Sequence, residues 1–254
     1  MKRVLHFAVL LSLLAPTAAH SLSSDSDLSY NKIFKSQKLG YDLHYRVYTP
    51  GGYSDLDSLP VIYVTDGQWY IQNGKVHKVM DQLVQAGKIK PAIVVFIDNR
   101  DPYNPSNNRR NSQFFCNRDY IAFITDELVP YIDGQYKTSG DRDDRIMLGL
   151  SFGALNSACF GLYAADTFRG IAMQSPALHP VRSILPEYES SEPLDLKIFL
   201  STGTIRDNLE ATRRFKIILD KTGAELEYVE VEASHDWNNW APLIDDILEF
   251  YLGN

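Results

Sequence analysis

The sequence predicts an α/β domain, a mostly parallel sheet covered by helices. Three observations predict it. Short apolar runs recur at 60–64, 92–97, 144–148, 170–174 and 197–201, and runs that are apolar on both faces suit strands buried in a parallel sheet. Segments with apolar residues at helical spacing alternate with them, the order expected of βα units. Finally, Gly149-Leu150-Ser151-Phe152-Gly153 stands between one such run and a helix-like stretch rich in small side chains. With 254 residues, 44% apolar and 22% charged, the chain suits one folded domain with an ample core.

Residues 1–19 read as a separate object. Lys2 and Arg3 form a basic start, residues 4–14 are apolar but too few to span a bilayer, and Pro16-Thr17-Ala18-Ala19 offers a cleavage site after Ala19. A secretory signal is expected, with the product exported to the periplasm or the medium. An uncleaved anchor is the alternative reading. Loss of Lys2 and Arg3 takes the formal charge from −7 to −9. That acidity argues against nucleic acid and anionic membrane surfaces as partners. No later segment is long and apolar enough to cross a membrane. Residues 20–29 read as a flexible lead-in, and 30–254 as a single domain.

The elements follow in order. Residues 41–49 alternate, with Tyr41, Leu43, Tyr45 and Val47 on one face, which predicts a half-exposed strand near a sheet edge. Pro60 to Val64 predicts a short buried strand ending at Asp66-Gly67. Residues 76–86 predict a helix and 92–97 a second buried strand. Residues 100–113 are polar, with Pro102, Pro105 and several Asn, and predict a long surface loop. Tyr120, Ile121, Ile124, Leu128 and Tyr131 recur at helical spacing, with Pro130 kinking or closing that helix. A strand at 144–148, a helix at 154–163 and strands at 170–174 and 197–201 come next. A helix at 209–221, a strand at 226–231 and an amphipathic final helix through Trp240, Ile244, Ile247, Leu248 and Tyr251 complete the chain. No insertion is long enough for a large lid. Cys116 and Cys159 both fall in predicted helices and read as two buried thiols, though an exported chain permits a bond between them. No spacing of Cys or His suggests a structural metal.

Strand, sharp turn with Ser151 at the apex, then helix is the nucleophile elbow of the α/β-hydrolase fold. The flanking glycines accept a tight turn that a side chain would obstruct. A serine hydroxyl needs a base to take its proton, and the base needs an orienting acid. In this fold the chain order is Ser, acid, His. Only His179 and His235 follow Ser151 with a further strand between. His235 lies directly after the last strand, where such sheets place their chemistry; its structural alternative is a helix-capping or surface histidine. Asp207 follows the strand at 197–201, with Glu210 as runner-up. Asp207 has the alternative role of helix N-cap. Two backbone donors should bind the developing oxyanion, the Phe152 N–H and, after the Asp66-Gly67 turn, the Gln68 N–H. Trp69, Tyr70, Phe114, Trp237 and Arg109 or Arg110 are candidates for the rim, with Trp69, Arg110 and Trp237 taken as substrate-binding residues. The alternatives are core packing for the aromatics and simple solvation for the arginines.

Asp66-Gly67-Gln68, Glu127-Leu128-Val129-Pro130-Tyr131-Ile132, the Ser151 pentapeptide, Ser175-Pro176-Ala177-Leu178 and His235-Asp236-Trp237 together resemble the putative esterase (esterase D-like) family of α/β-hydrolases. That family includes enterochelin-type siderophore esterases, feruloyl esterases and S-formylglutathione hydrolases. The resemblance covers most of the chain from about Tyr30 onward. It implies a serine carboxylic-ester hydrolase acting on a small-molecule ester through an acyl-enzyme, without metal or organic cofactor. By position it implies Ser151 as nucleophile, Asp207 as acid, His235 as base, and the Gln68 and Phe152 amides as oxyanion hole. The Asp-Gly turn is closest to the siderophore-esterase members. Two departures bear on the substrate: Ser234 stands where Gly often precedes the histidine, and Gln113 where an acidic residue is frequent. The same residues leave open a siderophore trilactone esterase, an acyltransferase, or a binding protein on a hydrolase fold.

Overall fold

The computed structural model describes residues 25–254. The expected signal at 1–19 and the start of the expected lead-in lie outside the described residues. The strands are β1 (Asp27–Leu28), β2 (Lys32–Lys35), β3 (Asp42–Thr49), β4 (Val61–Val64), β5 (Ile93–Asp98), β6 (Arg145–Leu150), β7 (Gly170–Gln174), β8 (Lys197–Gly203) and β9 (Glu225–Val231). They form one sheet in the order β1-β3-β5-β4-β6-β7-β8-β9, with β2 also on β3. From β5 through β9 all neighbours are parallel. Among the strands of the described residues, the β1–β3, β2–β3 and β3–β5 pairs are antiparallel.

The continuous apolar runs are explained by burial on two faces. Tyr63, Val95, Met147, Ile171 and Ile198 join the core on one side of the sheet. Ile62, Val94, Phe96, Leu148, Ala172 and Phe199 join the core on the other. Adjacent residues point to opposite faces, so a strand covered by helices on both sides must be apolar throughout. The chain order reverses at β4, because β5 lies on one side of it and β6 on the other. Ligand sites of open parallel sheets form at the carboxyl ends of strands beside such a reversal.

Five expectations change. Residues 27–28, expected in the lead-in, form β1, with Asp27 opposite Thr49 and Leu28 opposite Tyr48. β3 is therefore flanked on both sides and is not half-exposed. Leu43, Tyr45 and Val47 do share a buried face, but Tyr48 is buried on the opposite one, where its hydroxyl donates to Asp81 at 2.7 Å. Within the expected loop 100–113 a short helix begins, Arg110–Phe114. Cys116 and Cys159 are not free thiols but a disulfide, with Cα atoms 5.2 Å apart. Cys116 is in a turn of positive φ between helices Arg110–Phe114 and Arg118–Ala122, and that turn delivers its sulfur to the helix Phe152–Tyr163 that carries Cys159. The helix expected around 120–131 runs as Arg118–Ala122, a π-helical stretch Phe123–Leu128, then Val129–Gln135. Pro130 has no N–H to give the preceding turn, and a widened turn is one way to accommodate that loss.

Candidate active site

Ser151 stands between β6 and the helix Phe152–Tyr163 with φ 55° and ψ −117°. A non-glycine residue holds such angles only where its surroundings fix them. Here the Ser151 N–H donates to the Gln174 carbonyl at 2.8 Å, and the Ser151 carbonyl accepts from the Ala177 N–H at 3.1 Å. A Cβ at Gly149 would strike the Gly153 carbonyl, and one at Gly153 would lie 2.8 Å from Thr65 Oγ1. Both glycines are therefore demanded by the elbow.

The loops after β6, β8 and β9 bring Ser151, Asp207 and His235 together. His235 Nε2 lies 2.8 Å from Ser151 Oγ. His235 Nδ1 lies 2.6 Å from Asp207 Oδ1. With the proton on Nδ1 donated to the carboxylate, Nε2 is free to accept from the serine hydroxyl. The imidazole stands edge-on to the Trp240 ring at 5.0 Å.

Asp207 is held from every side. Its Oδ2 accepts from Ser175 Oγ at 2.6 Å, the Gly203 N–H at 2.6 Å and Asn239 Nδ2 at 2.8 Å. Its Oδ1 also accepts from the Asn208 N–H at 2.6 Å. Burial alone would push this carboxyl up, but the hydrogen bonds from His235, Ser175, Gly203 and Asn208 outweigh it and hold the pKa at about 2. Ser175 is fixed in turn, accepting from Asn239 Nδ2 at 3.1 Å and Trp240 Nε1 at 2.9 Å.

The alternatives for these residues fall away on geometry. Glu210 is solvated, its side chain 88% exposed beside Arg213. Asn208, not Asp207, is the N-cap of the helix Leu209–Leu219. Asp236, not His235, caps the helix Trp237–Trp240, accepting from the Asn238 N–H at 2.8 Å. His179 is exposed and lies against the Phe152 ring at 5.6 Å.

On the other side of Ser151 is the turn after β4. Asp66 takes the left-handed conformation, φ 55°, and caps the single helical turn Gly67–Trp69. A Cβ at Gly67 would lie 2.6 Å from the Phe96 backbone, so only glycine lets this turn lie against β5. Gln68 and Phe152 both occupy first turns of helices, where N–H groups lack intrahelical acceptors. The Asp66 carboxylate is wholly buried and meets Arg110, whose Nε donates to both of its oxygens at 2.9 Å. Burial still raises the Asp66 pKa, against the pull of Arg110.

A pocket of about 310 Å³ opens over Ser151 and His235, walled by Trp69, Trp237 and Trp240 with Asn73 and Arg110. Trp69, Arg110 and Trp237, the residues expected to bind substrate, are among those that line it. Tyr70 and Phe114, expected at the rim, are instead fully buried. The Tyr70 hydroxyl donates to Gln174 at 2.7 Å, and Phe114 packs against Tyr120. Arg109 is turned away to Asp101 at 2.5 Å and the Asp42 carbonyl at 3.2 Å. Sequence reasoning missed the roles of Ser175, Asn239, Trp240 and Asn73. Ser175 alone carried a signal, its place at the carboxyl end of a predicted strand.

Residues 36–251 match the family described as "Putative esterase". The chain is 29% identical over 237 residues to the uncharacterized protein YjcH of Bacillus subtilis, covering 87% of this chain and 96% of that one. It is 27% identical over 231 residues to an endo-1,4-beta-xylanase/feruloyl esterase of Xylanibacter ruminicola, covering 85% of this chain and 30% of that protein. The enterobactin esterase of Shigella flexneri superposes with a TM-score of 0.77 at 22% identity, over 89% of this chain and 58% of that one. The chain therefore spans less than two thirds of the latter two proteins, and the structural likeness establishes the α/β-hydrolase fold. Matched over most of its length, the chain belongs to the putative esterase family of ester-hydrolysing enzymes.

Proposed function

We propose that this esterase cleaves small carboxylic esters through an acyl-enzyme on Ser151. The observation that carries the reading is the unbroken line from Ser151 Oγ through His235 to Asp207, with contacts of 2.8 and 2.6 Å. His235 Nε2 takes the hydroxyl proton as Oγ bonds to the ester carbonyl carbon. The carbonyl π electrons move to oxygen, and the Gln68 and Phe152 amides bind that oxyanion. As the oxyanion collapses the C–O bond to the alcohol breaks, and His235 gives the alcohol the proton. Water then enters, gives a proton to His235 and bonds to the acyl carbon; the bond from that carbon to Ser151 Oγ breaks as His235 returns the proton to Oγ, which frees the acid. Asp207 stays ionised throughout and stabilises the imidazolium that forms twice in each cycle.

Trp69 and Trp237 are proposed to contact the substrate. Their aromatic walls favour a planar or aromatic acyl group, in keeping with a relative named as a feruloyl esterase. A siderophore trilactone is the second reading, in keeping with relatives named as iron(III) enterobactin esterases. The test is turnover of a panel of short- and long-chain nitrophenyl esters, aryl esters and a catecholate trilactone, with Ser151→Ala as control. Loss of all turnover in Ser151→Ala is expected, and full activity in that variant refutes the assignment. Products formed with and without added alcohol separate a hydrolase from an acyltransferase.

Export is proposed as well. The basic and apolar start of the sequence supports it, and so does the Cys116–Cys159 bond, since disulfides persist in oxidising compartments. Sequencing the mature amino terminus from the producing cell should give His20 as the first residue; an intact Met1 in a cytosolic fraction contradicts it.

A further inference from the structure

Asp66 and Leu150 each stand two residues ahead of a proposed oxyanion donor, Gln68 and Phe152 respectively. One side chain joins them. Arg110 Nε donates to both Asp66 oxygens at 2.9 Å, and its Nη2 lies 2.8 Å from Asp66 Oδ2. The same Nη2 donates to the Leu150 carbonyl at 3.2 Å. The Asp66 side chain is fully buried and that of Arg110 is 13% exposed. The guanidinium is further confined by the rings of Trp69, Phe114 and Phe152, at 5.7, 5.5 and 5.2 Å. The carboxylate also abuts the elbow, since a Cβ at Gly153 would lie 3.2 Å from Asp66 Oδ2.

Resting on the acyl-enzyme reading above, we propose that Arg110 is a positioning residue that fixes the separation of the Gln68 and Phe152 amides, rather than a contact for substrate charge. A guanidinium offers several donors in one rigid plane and so reaches two acceptors on different turns at once. A lysine ammonium is a point charge on a flexible stem and does not reproduce that geometry. Donors aimed at the oxyanion act in the transition state, so loosening them lowers kcat and leaves KM little changed. Loss of one whole donor costs about 10²–10³ in turnover, and misplacement of a donor costs part of that.

The experiment measures kcat and KM of the wild-type protein, Arg110→Lys and Arg110→Ala on a neutral and an anionic nitrophenyl ester. Binding of an aryl trifluoromethyl ketone, which forms a tetrahedral adduct with the serine, is measured alongside. In Arg110→Lys the expected result is a fall in kcat of about tenfold or more on both esters, with KM within about twofold and a matching loss of ketone affinity. Methylguanidinium added to Arg110→Ala should restore part of kcat. A rise in KM on the anionic ester alone, with kcat and ketone affinity held, overturns the proposal and makes Arg110 a substrate contact. Unchanged kinetics on both esters overturn it too. If Arg110→Ala does not fold, the Arg110→Lys split decides. The underlying reading is tested separately, because its failure shows as ketone that does not bind wild type, or as turnover surviving in Ser151→Ala.

Discussion

The side chains of Asp207 and Asp66 are both covered at the carboxyl rim of the sheet, one on each side of Ser151, with Asp66 the more deeply buried residue, and their carboxyls shift in opposite directions. Asp207 is held down at about 2, whereas Asp66 is raised although it faces an arginine. The difference is in the depth of burial, greater at Asp66, and in the number of donors. Five groups from His235, Ser175, Gly203, Asn208 and Asn239 converge on Asp207. Asp66 has two partners, Arg110 and, with its amide nitrogen turned toward the carboxylate, Asn99 at 3.1 Å. Burial disfavours a charged carboxylate, and at Asp66 a single cation does not fully offset it, whereas many directed hydrogen bonds do at Asp207. The first arrangement keeps a negative charge ready for an imidazolium. The second joins two turns.

The sharpest way to break this contrast is to neutralise each carboxylate without changing its shape. Asp207→Asn should lower kcat by about 10⁴, because the amide favours the wrong imidazole tautomer. Asp66→Asn should cost about 10² or less, because it only disturbs the oxyanion turn. Steady-state kinetics on one nitrophenyl ester decide this, and equal losses contradict the division of roles.

Stability should show the reverse ranking of partners. Arg110→Ala leaves a buried carboxylate without its cation and should destabilise by about 3–5 kcal/mol, whereas the Asp66→Leu/Arg110→Met double variant should lose far less. Urea denaturation measures both, and a double variant as unstable as the single one counts against the buried Asp66–Arg110 pair as the source of the loss. A smaller effect is expected at Ser175. Ser175→Ala removes one hydrogen bond from Asp207 and should cost about 1 kcal/mol of stability. Urea denaturation measures this too, and an unchanged midpoint would show that Ser175 is incidental.

The pH dependence of folding offers the finest discrimination. Asp207 has a folded pKa below its ordinary 3.8. Its contribution is full above about pH 4 and is lost as the pH falls toward 2. Asp66 has a folded pKa above 3.8, so the folded form holds its proton longer than the unfolded chain and its contribution declines as the pH rises past that value. Asp207→Asn should therefore flatten the acid limb of stability, while Asp66→Asn should remove a decline above pH 4. Denaturation series between pH 2 and 7 would reveal identical slopes if the contrast is false.

The sheet was readable in the sequence because each of its central strands is buried on both faces and so is apolar without interruption. The line of Ser151, Asp207 and His235 was readable because each follows a predicted strand in the order the fold requires. What stayed hidden depends on contacts between distant segments. β1 has only two residues and gains its identity from Thr49 and Tyr48 across the pair. The Cys116 turn has a positive φ that nothing in Phe115-Cys116-Asn117 announces, so the bond to Cys159 was not foreseen. Tyr70 and Phe114 have the composition of rim residues, and only the packing of the helices around them puts them inside. Ser175, Asn239 and Trp240 are ordinary polar and aromatic positions until the carboxyl ends of β7 and β9 bring Ser175 and Asn239 to Asp207 and Trp240 to Ser175.

The most direct test of the central claim is intact-protein and peptide mass spectrometry after treatment with a fluorophosphonate. One adduct on Ser151 is predicted in the wild-type protein, forming far more slowly in His235→Ala, with loss of ester hydrolysis in step with labelling. An adduct on another residue, or hydrolysis that persists once Ser151 is fully modified, would contradict it.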